Sequence, residues 1–189
     1  VGIWDVIRER RSKRDYSGES ISLRDLSQLL WATQGITGGY MGYGLRAAPS
    51  AGALYPIDTY VVVNRVGSLS PGLYLYDPGN HAVDLLLEAE LGRELSSAAL
   101  GQYMCEEAAV VFIWVAVAER SRRKYRERAY RYIYMDAGHI AQNLYLMAVA
   151  MGLGACAVGA FSDKELDRIL GVDGVNESTA YLMAVGRLG

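Results

Sequence analysis

The chain has 189 residues, 51% apolar and 21% charged, enough to bury a core of its own and too apolar for a disordered polymer. Nineteen basic against 21 acidic side chains leave a formal charge of −2, which argues against general nucleic-acid binding. No apolar run approaches the ~20 residues of a membrane span, so a single globular domain over residues 1–189 is expected.

In chain order, Ile3 to Arg11 has the spacing of a short helix with Ile3, Val6 and Ile7 inward. It runs into Arg10-Arg-Ser-Lys-Arg14, either a solvated basic helix end or a phosphate clamp of guanidinium forks and a hydroxyl. Ser22-Leu-Arg-Asp25 is a capping box that opens a second helix, with Leu26, Leu29, Leu30 and Thr33 inward. Gln34 to Gly44, rich in Gly and Tyr, reads as a loop, a candidate lid or interface segment. Then comes Arg46-Ala-Ala-Pro-Ser-Ala-Gly-Ala-Leu-Tyr-Pro56, small residues that leave backbone N–H groups open to a ligand, feeding the strand-like Ile57 to Val63. It is either an ordinary loop before a core strand or a platform for a planar ligand.

Gly72 to Asp77 and Ala82 to Leu87, joined through Pro78-Gly79, read as a hairpin. Leu91 to Leu100 reads as a helix, and Ala108 to Ala118 as a central strand buried on both faces. Glu119 to Arg128 is a charged helix or loop containing Lys124-Tyr125. Ala129 to Met151 is the longest helical pattern, with Gly152 as its stop and a polar stripe of Asp136, His139 and Asn143 that suits a helix or subunit contact. Leu153 to Phe161 is a buried strand, Ser162-Asp-Lys-Glu165 a second capping box, and Thr179 to Leu188 the last strand. The order suggests an α+β fold, a mixed sheet of four to five strands flanked by helices.

Several motifs fall away on context. Gly152-Leu-Gly-Ala-Cys-Ala157 follows a helix and enters a strand, the reverse of a dinucleotide fingerprint. Ala48-Pro-Ser-Ala-Gly52 leads into a strand, so Ser50 is not at a nucleophile elbow; a Ser50–His139–Asp136 hydrolase is kept only as a rival. His81 and His139 with the two cysteines, Cys105 and Cys156, offer no metal-ligand set, and no metal is expected. Val1 to Arg14 lacks the basic and apolar regions of a signal peptide, and with no disulfide spacing the expected compartment is the reducing cytoplasm.

Three separated stretches together resemble the FMN-dependent nitroreductase superfamily: Arg10-Arg-Ser-x-Arg14, Pro49-Ser-Ala-Gly-Ala-Leu-Tyr-Pro56 and Val158-Gly-Ala-Phe161. Within it the sequence is most similar to the thiazoline/oxazoline dehydrogenase branch, whose long helix also opens like Arg131 to Leu144. The resemblance implies a homodimer with the long helix at its interface and two FMN sites between the subunits. Arg10, Arg11, Ser12 and Arg14 match the segment that holds the FMN phosphate, ribityl chain and pyrimidine edge. Pro49, Ser50, Ala51, Gly52 and Leu54 match the segment that touches the flavin from the partner subunit, while Val158, Gly159 and Ala160 match the backbone near flavin N5. Lys124 and Tyr125 match the pair proposed for proton removal from an azoline ring; a solvated charged helix is the alternative.

Two departures stand out. Gly159-Ala160 lacks the Glu that many nitroreductases carry before the N5-facing Gly. In place of the basic residue that a C-terminal extension brings to the phosphate in many of them, the expectation is either Arg187 as a substitute or a dimer held by the long helix alone. The expected function is an FMN-dependent oxidoreductase passing hydride through N5 from NAD(P)H to an acceptor, acting on a small molecule or peptide without nucleic acid or membrane. The alternatives are an azoline dehydrogenase of peptide maturation and a flavin-binding or storage protein without turnover.

Overall fold

The computed structural model describes residues 1–40 and 43–189. Six strands form the main sheet: β3 (Ile57–Val63), β4 (Gly72–Asp77), β5 (Ala82–Glu88), β6 (Val110–Val117), β7 (Leu153–Val158) and β8 (Glu177–Arg187). Their spatial order is β5-β4-β3-β6-β8-β7. The helices are α1 (Ile3–Glu9), α2 (Leu23–Gln34), α3 (Gly92–Ala98), α4 (Met104–Glu107), α5 (Ala118–Tyr125), α6 (Ala129–Ala150) and α7 (Asp163–Leu170).

The α+β architecture agrees with the sequence, with two corrections to the sheet. It has six strands, and every pairing in it is antiparallel. The alternation of helix and strand suggested parallel neighbours. In fact β6 and β7, joined through α5 and α6, both run against β8, which lies between them. Two co-directional strands thus never pair directly.

Alternation along β6 explains its unbroken apolar run. Val110, Phe112, Trp114 and Ala116 pack with α2 and α6, through Leu29, Ile133, Ile140 and Leu144. Val111, Ile113 and Val115 pack on the other face with Leu95 of α3 and Leu166 and Ile169 of α7. A strand covered on both faces has no polar side. Phe112 is fully buried opposite Val61 of β3 and Met183 of β8. Phe112→Ala should cost about 3–5 kcal/mol, read as a lower urea midpoint at unchanged slope.

The Gly/Tyr stretch is not a plain loop. It forms a hairpin of β1 (Ile36–Tyr40) and β2 (Tyr43–Arg46), with Met41 and Gly42 outside the described residues. The Ser22 capping box is present, Asp25 N–H donating to Ser22 Oγ at 3.0 Å and Ser22 N–H to Asp25 Oδ2 at 2.9 Å. The second box is not: Ser162 occupies the N-cap of α7, but its side chain makes no capping bond. Among the described residues no helix is long and apolar enough to cross a membrane.

Candidate cofactor and active site

The small-residue loop between β2 and β3 is pinned to α6. Ser50 Oγ donates to Asp136 Oδ2 at 2.6 Å and accepts the Tyr55 N–H at 3.0 Å. Ala51 N–H donates to Asp136 Oδ1 at 3.3 Å. Asp136 is buried, which pushes its carboxyl above the usual range; the Ser50 and Ala51 bonds and His139 pull the other way. His139 itself is exposed, and Asn143 donates to the Ala32 carbonyl of α2 at 3.1 Å. The polar stripe is therefore split among three tasks. Ser50 is bonded directly to a carboxylate with no imidazole base, so the hydrolase rival lacks its geometry.

The far end of the loop is braced by cations. The Arg46 guanidinium lies 4.6 Å from the centre of the Tyr55 ring and donates to Gln34 Oε1 at 2.6 Å. Buried Gln34 donates in turn to the Ile57 carbonyl and Thr59 Oγ1. Arg120 forks onto Asp58 at 2.6 and 2.9 Å. Within this frame the backbone is strained: φ is +54° at Ala53 and +45° at Tyr55, besides +66° at Gly52. Each such non-glycine residue costs about 1–3 kcal/mol and is sustained by its surroundings.

Lys124 and Tyr125 reach this loop from the end of α5. A Cβ on Gly52 would stand 2.6 Å from Tyr125 Oη and 2.9 Å from Lys124 Nζ, so only glycine lets the pair sit on the loop backbone. Tyr125 is anchored edge-on against Tyr132 of α6, ring centres 4.8 Å apart. Directly after it Arg126 turns the chain at φ +49°. Gly52, Ala53, Tyr55 and Arg126 concentrate positive φ around one spot.

The other sequence candidates gather at β7. Arg10 lies over the Tyr145 ring at 5.2 Å, and Ser12 Oγ is 3.0 Å from Tyr145 Oη. That same hydroxyl accepts the Ala157 N–H at 2.7 Å. Tyr145 thus ties the basic segment to the strand that runs into Val158, Gly159 and Ala160. Lys13 N–H bonds to the Ala155 carbonyl, and a side chain at Gly154 would collide with Leu188 and press on Lys13 and Tyr16. Val158 is buried, whereas Gly159 and Ala160 are exposed, and neither N–H donates to another described group. A cleft of about 290 Å³ opens beside Arg11, Lys13 and Tyr145.

Two basic candidates are engaged elsewhere. Arg11 donates to the Arg8 and Arg10 carbonyls at the end of α1. Arg187 Nε donates to the Ser20 carbonyl at 2.9 Å, and its Nη2 lies 3.7 Å from Asp25. Arg14 is exposed and has no acid partner among the described residues. Sequence reasoning missed Tyr145, Gln34 and the Arg120–Asp58 pair, and read Asp136 as a contact residue. For Tyr145 the only sequence signal is the tyrosine excess, 14 Tyr against two Phe; Gln34, Arg120 and Asp58 carry none, since their partners are remote in the chain.

The profile described as Nitroreductase family matches residues 7–187. The chain belongs to the nitroreductase family. Membership makes it an oxidoreductase. A Methanocaldococcus jannaschii protein named as a nitroreductase is 43% identical over 187 residues, 99% of this chain and 91% of the relative. The trifolitoxin-processing protein TfxB of Rhizobium leguminosarum bv. trifolii is 31% identical over 147 residues, 75% of this chain but only 39% of TfxB. Among solved structures, an Anabaena variabilis protein named as a nitroreductase superposes with a TM-score of 0.85 at 30% identity, covering 99% of this nitroreductase-family chain and 38% of that one. A Desulfovibrio desulfuricans family member in complex with FMN shares the fold, with a TM-score of 0.70 at 20% identity over 100% of this chain and 87% of that one.

Proposed function

We propose that this chain is an FMN-dependent oxidoreductase acting as a homodimer, each of its two sites taking one half from each protomer. The observation that carries this reading is the separation of the two halves along α6. The loop is pinned at Asp136 and the basic segment at Tyr145. Nine residues at 1.5 Å rise put these anchors about 13 Å apart along the helix. A second copy packed on α6 would bring one chain's loop to the other's basic segment. The face available to it carries exposed Tyr134 and Met135, with Trp4 of α1 and Trp31 of α2 also exposed on the helices that pack on α6.

The residues present fit such a cofactor. Arg10 and Arg14 have no acid partner among the described residues and suit its phosphate, with Ser12 for the ribityl hydroxyls and Arg11 at the cleft edge. The open N–H groups of Gly159 and Ala160, next to Val158, suit the N5 edge. Ser50, Ala51 and Gly52 present little side chain where a flat ring has to approach, with Pro49 and Leu54 as apolar flanks. Arg187 acts on this reading through the start of α2 rather than on the phosphate. When bound, the flavin supplies hydride acceptance at N5 and onward electron transfer. The protein binds and orients it, and Lys124 and Tyr125 hold or move a proton on the substrate. The donor is NAD(P)H and the acceptor oxygen, a quinone or a nitro compound.

The second reading is oxidation of a peptide azoline to an azole. It is favoured by the seating of Lys124 and Tyr125 on Gly52 and by the likeness to TfxB. The visible spectrum of the purified protein, with FMN added if it is colourless, followed by anaerobic NADH titration, tests both. A yellow protein that bleaches supports the reductase; one that ignores the nucleotide points to azoline oxidation. A protein that neither carries nor takes up FMN overturns the flavin reading.

A further inference from the structure

Between Glu119 and Arg131 seven cations stand against two carboxylates, in a chain whose total charge is −2. Arg120 is spent on Asp58, Arg123 lies 3.5 Å from Glu119, and Arg122 is loosely shared by Glu119 and Glu127 at 4.0 and 3.9 Å. That leaves Lys124, Arg126, Arg128 and Arg131, all exposed and none with a carboxylate in ion-pair range among the described residues. Four unneutralised cations within eight residues repel one another, and on a net acidic protein they make a local positive field that attracts anions. Three of the four are arginines, whose planar forks match phosphate oxygens two at a time. The patch is also compact, because Arg128 and Arg131 are one helical turn apart, about 4.5 Å of rise. Those dimensions suit a small, multiply charged anion better than an extended polymer.

Its position gives the patch a purpose. Arg126 follows Tyr125 directly, and its positive φ turns the chain beside the Lys124–Tyr125 pair on Gly52. The geometry points to Arg126, Arg128 and Arg131 as the subsite for the phosphates of the nicotinamide donor, reading the 2′-phosphate and so selecting NADPH over NADH. The assignment rests on the proposed reading in which a nicotinamide nucleotide reduces the bound flavin.

The test uses the flavin-loaded protein and scores flavin retention first. Anaerobic bleaching is then followed with NADPH and NADH, and binding of adenosine 2′,5′-bisphosphate and of 5′-AMP is measured by calorimetry. NADPH should half-saturate at a concentration about tenfold or more below NADH, and the bisphosphate should bind at least about tenfold tighter than AMP, an advantage that shrinks with salt. In Arg126→Gln and Arg131→Gln, with melting temperature as the folding check, the advantage of NADPH and of the bisphosphate should fall about tenfold each. Equal half-saturation and equal probe affinity overturn the subsite, as does a variant that loses both members of each pair alike. Flavin retained without any nucleotide response, together with equal probe binding, overturns it too. Loss of flavin in the unmodified protein instead overturns the reading on which it rests.

Discussion

Replacing Arg10 and Arg14 together by Ala is expected to weaken FMN binding by about 3–6 kcal/mol, from about 1.5–3 kcal/mol for each charge-assisted contact. That is roughly 10² to 10⁴ in Kd, read by quenching of flavin fluorescence on titrating apoprotein. The fold has little stake in either side chain. Arg10 touches the Tyr145 ring, Arg14 is exposed, and neither has an acid partner among the described residues. Melting temperature should therefore change little while affinity collapses. Arg11→Ala is the internal control. Its guanidinium closes the end of α1, so its loss should cost about 1 kcal/mol of stability with a much smaller effect on flavin. Unchanged FMN retention in the double variant would sink the clamp.

The second large effect concerns Gly52. An Ala there would adopt a left-handed φ at a cost of about 1–2 kcal/mol, and its Cβ would fall at 2.6 Å from Tyr125 Oη. The atoms in the way are the ends of two side chains, so the loop can survive by displacing Lys124 and Tyr125. Turnover should drop about 10²-fold, the loss expected from a displacement near 1 Å, while the flavin spectrum persists. Tyr125→Phe removes the hydroxyl and leaves the ring on Tyr132, separating proton handling from packing. Full turnover in Gly52→Ala would detach the pair from the chemistry and leave it a solvated helix end.

Much of this was legible in the chain. The elements follow from local causes: the reciprocal bonds of Ser22 and Asp25, the three-and-four spacing of Ile133, Ala137, Ile140 and Leu144, and the unbroken apolar run of β6. The small residues at Pro49 to Gly52 and the cations at Arg10 to Arg14 also declared themselves, because an open backbone and clustered charge are visible in residue type alone. Elsewhere local rules are insufficient. The stretch containing Gly38 and Gly39 pairs as a hairpin despite its glycines, and Ser162 leaves its capping bond unmade.

By itself, then, the sequence determined the α+β class, since periodicity and capping chemistry act over a few positions, and its three motif stretches carried the resemblance to the nitroreductase family. Tertiary structure alone decided the antiparallel strand order and the use of Asp136 as the latch for Ser50. It also made Tyr145 the tie between Ser12 and Ala157, and seated Tyr125 on Gly52. Ser50 and Asp136 are 86 positions apart, and Ser12 and Tyr145 are 133 apart. Nothing local encodes such pairs: they form only when the sheet and α6 have packed, and packing depends on the whole core at once.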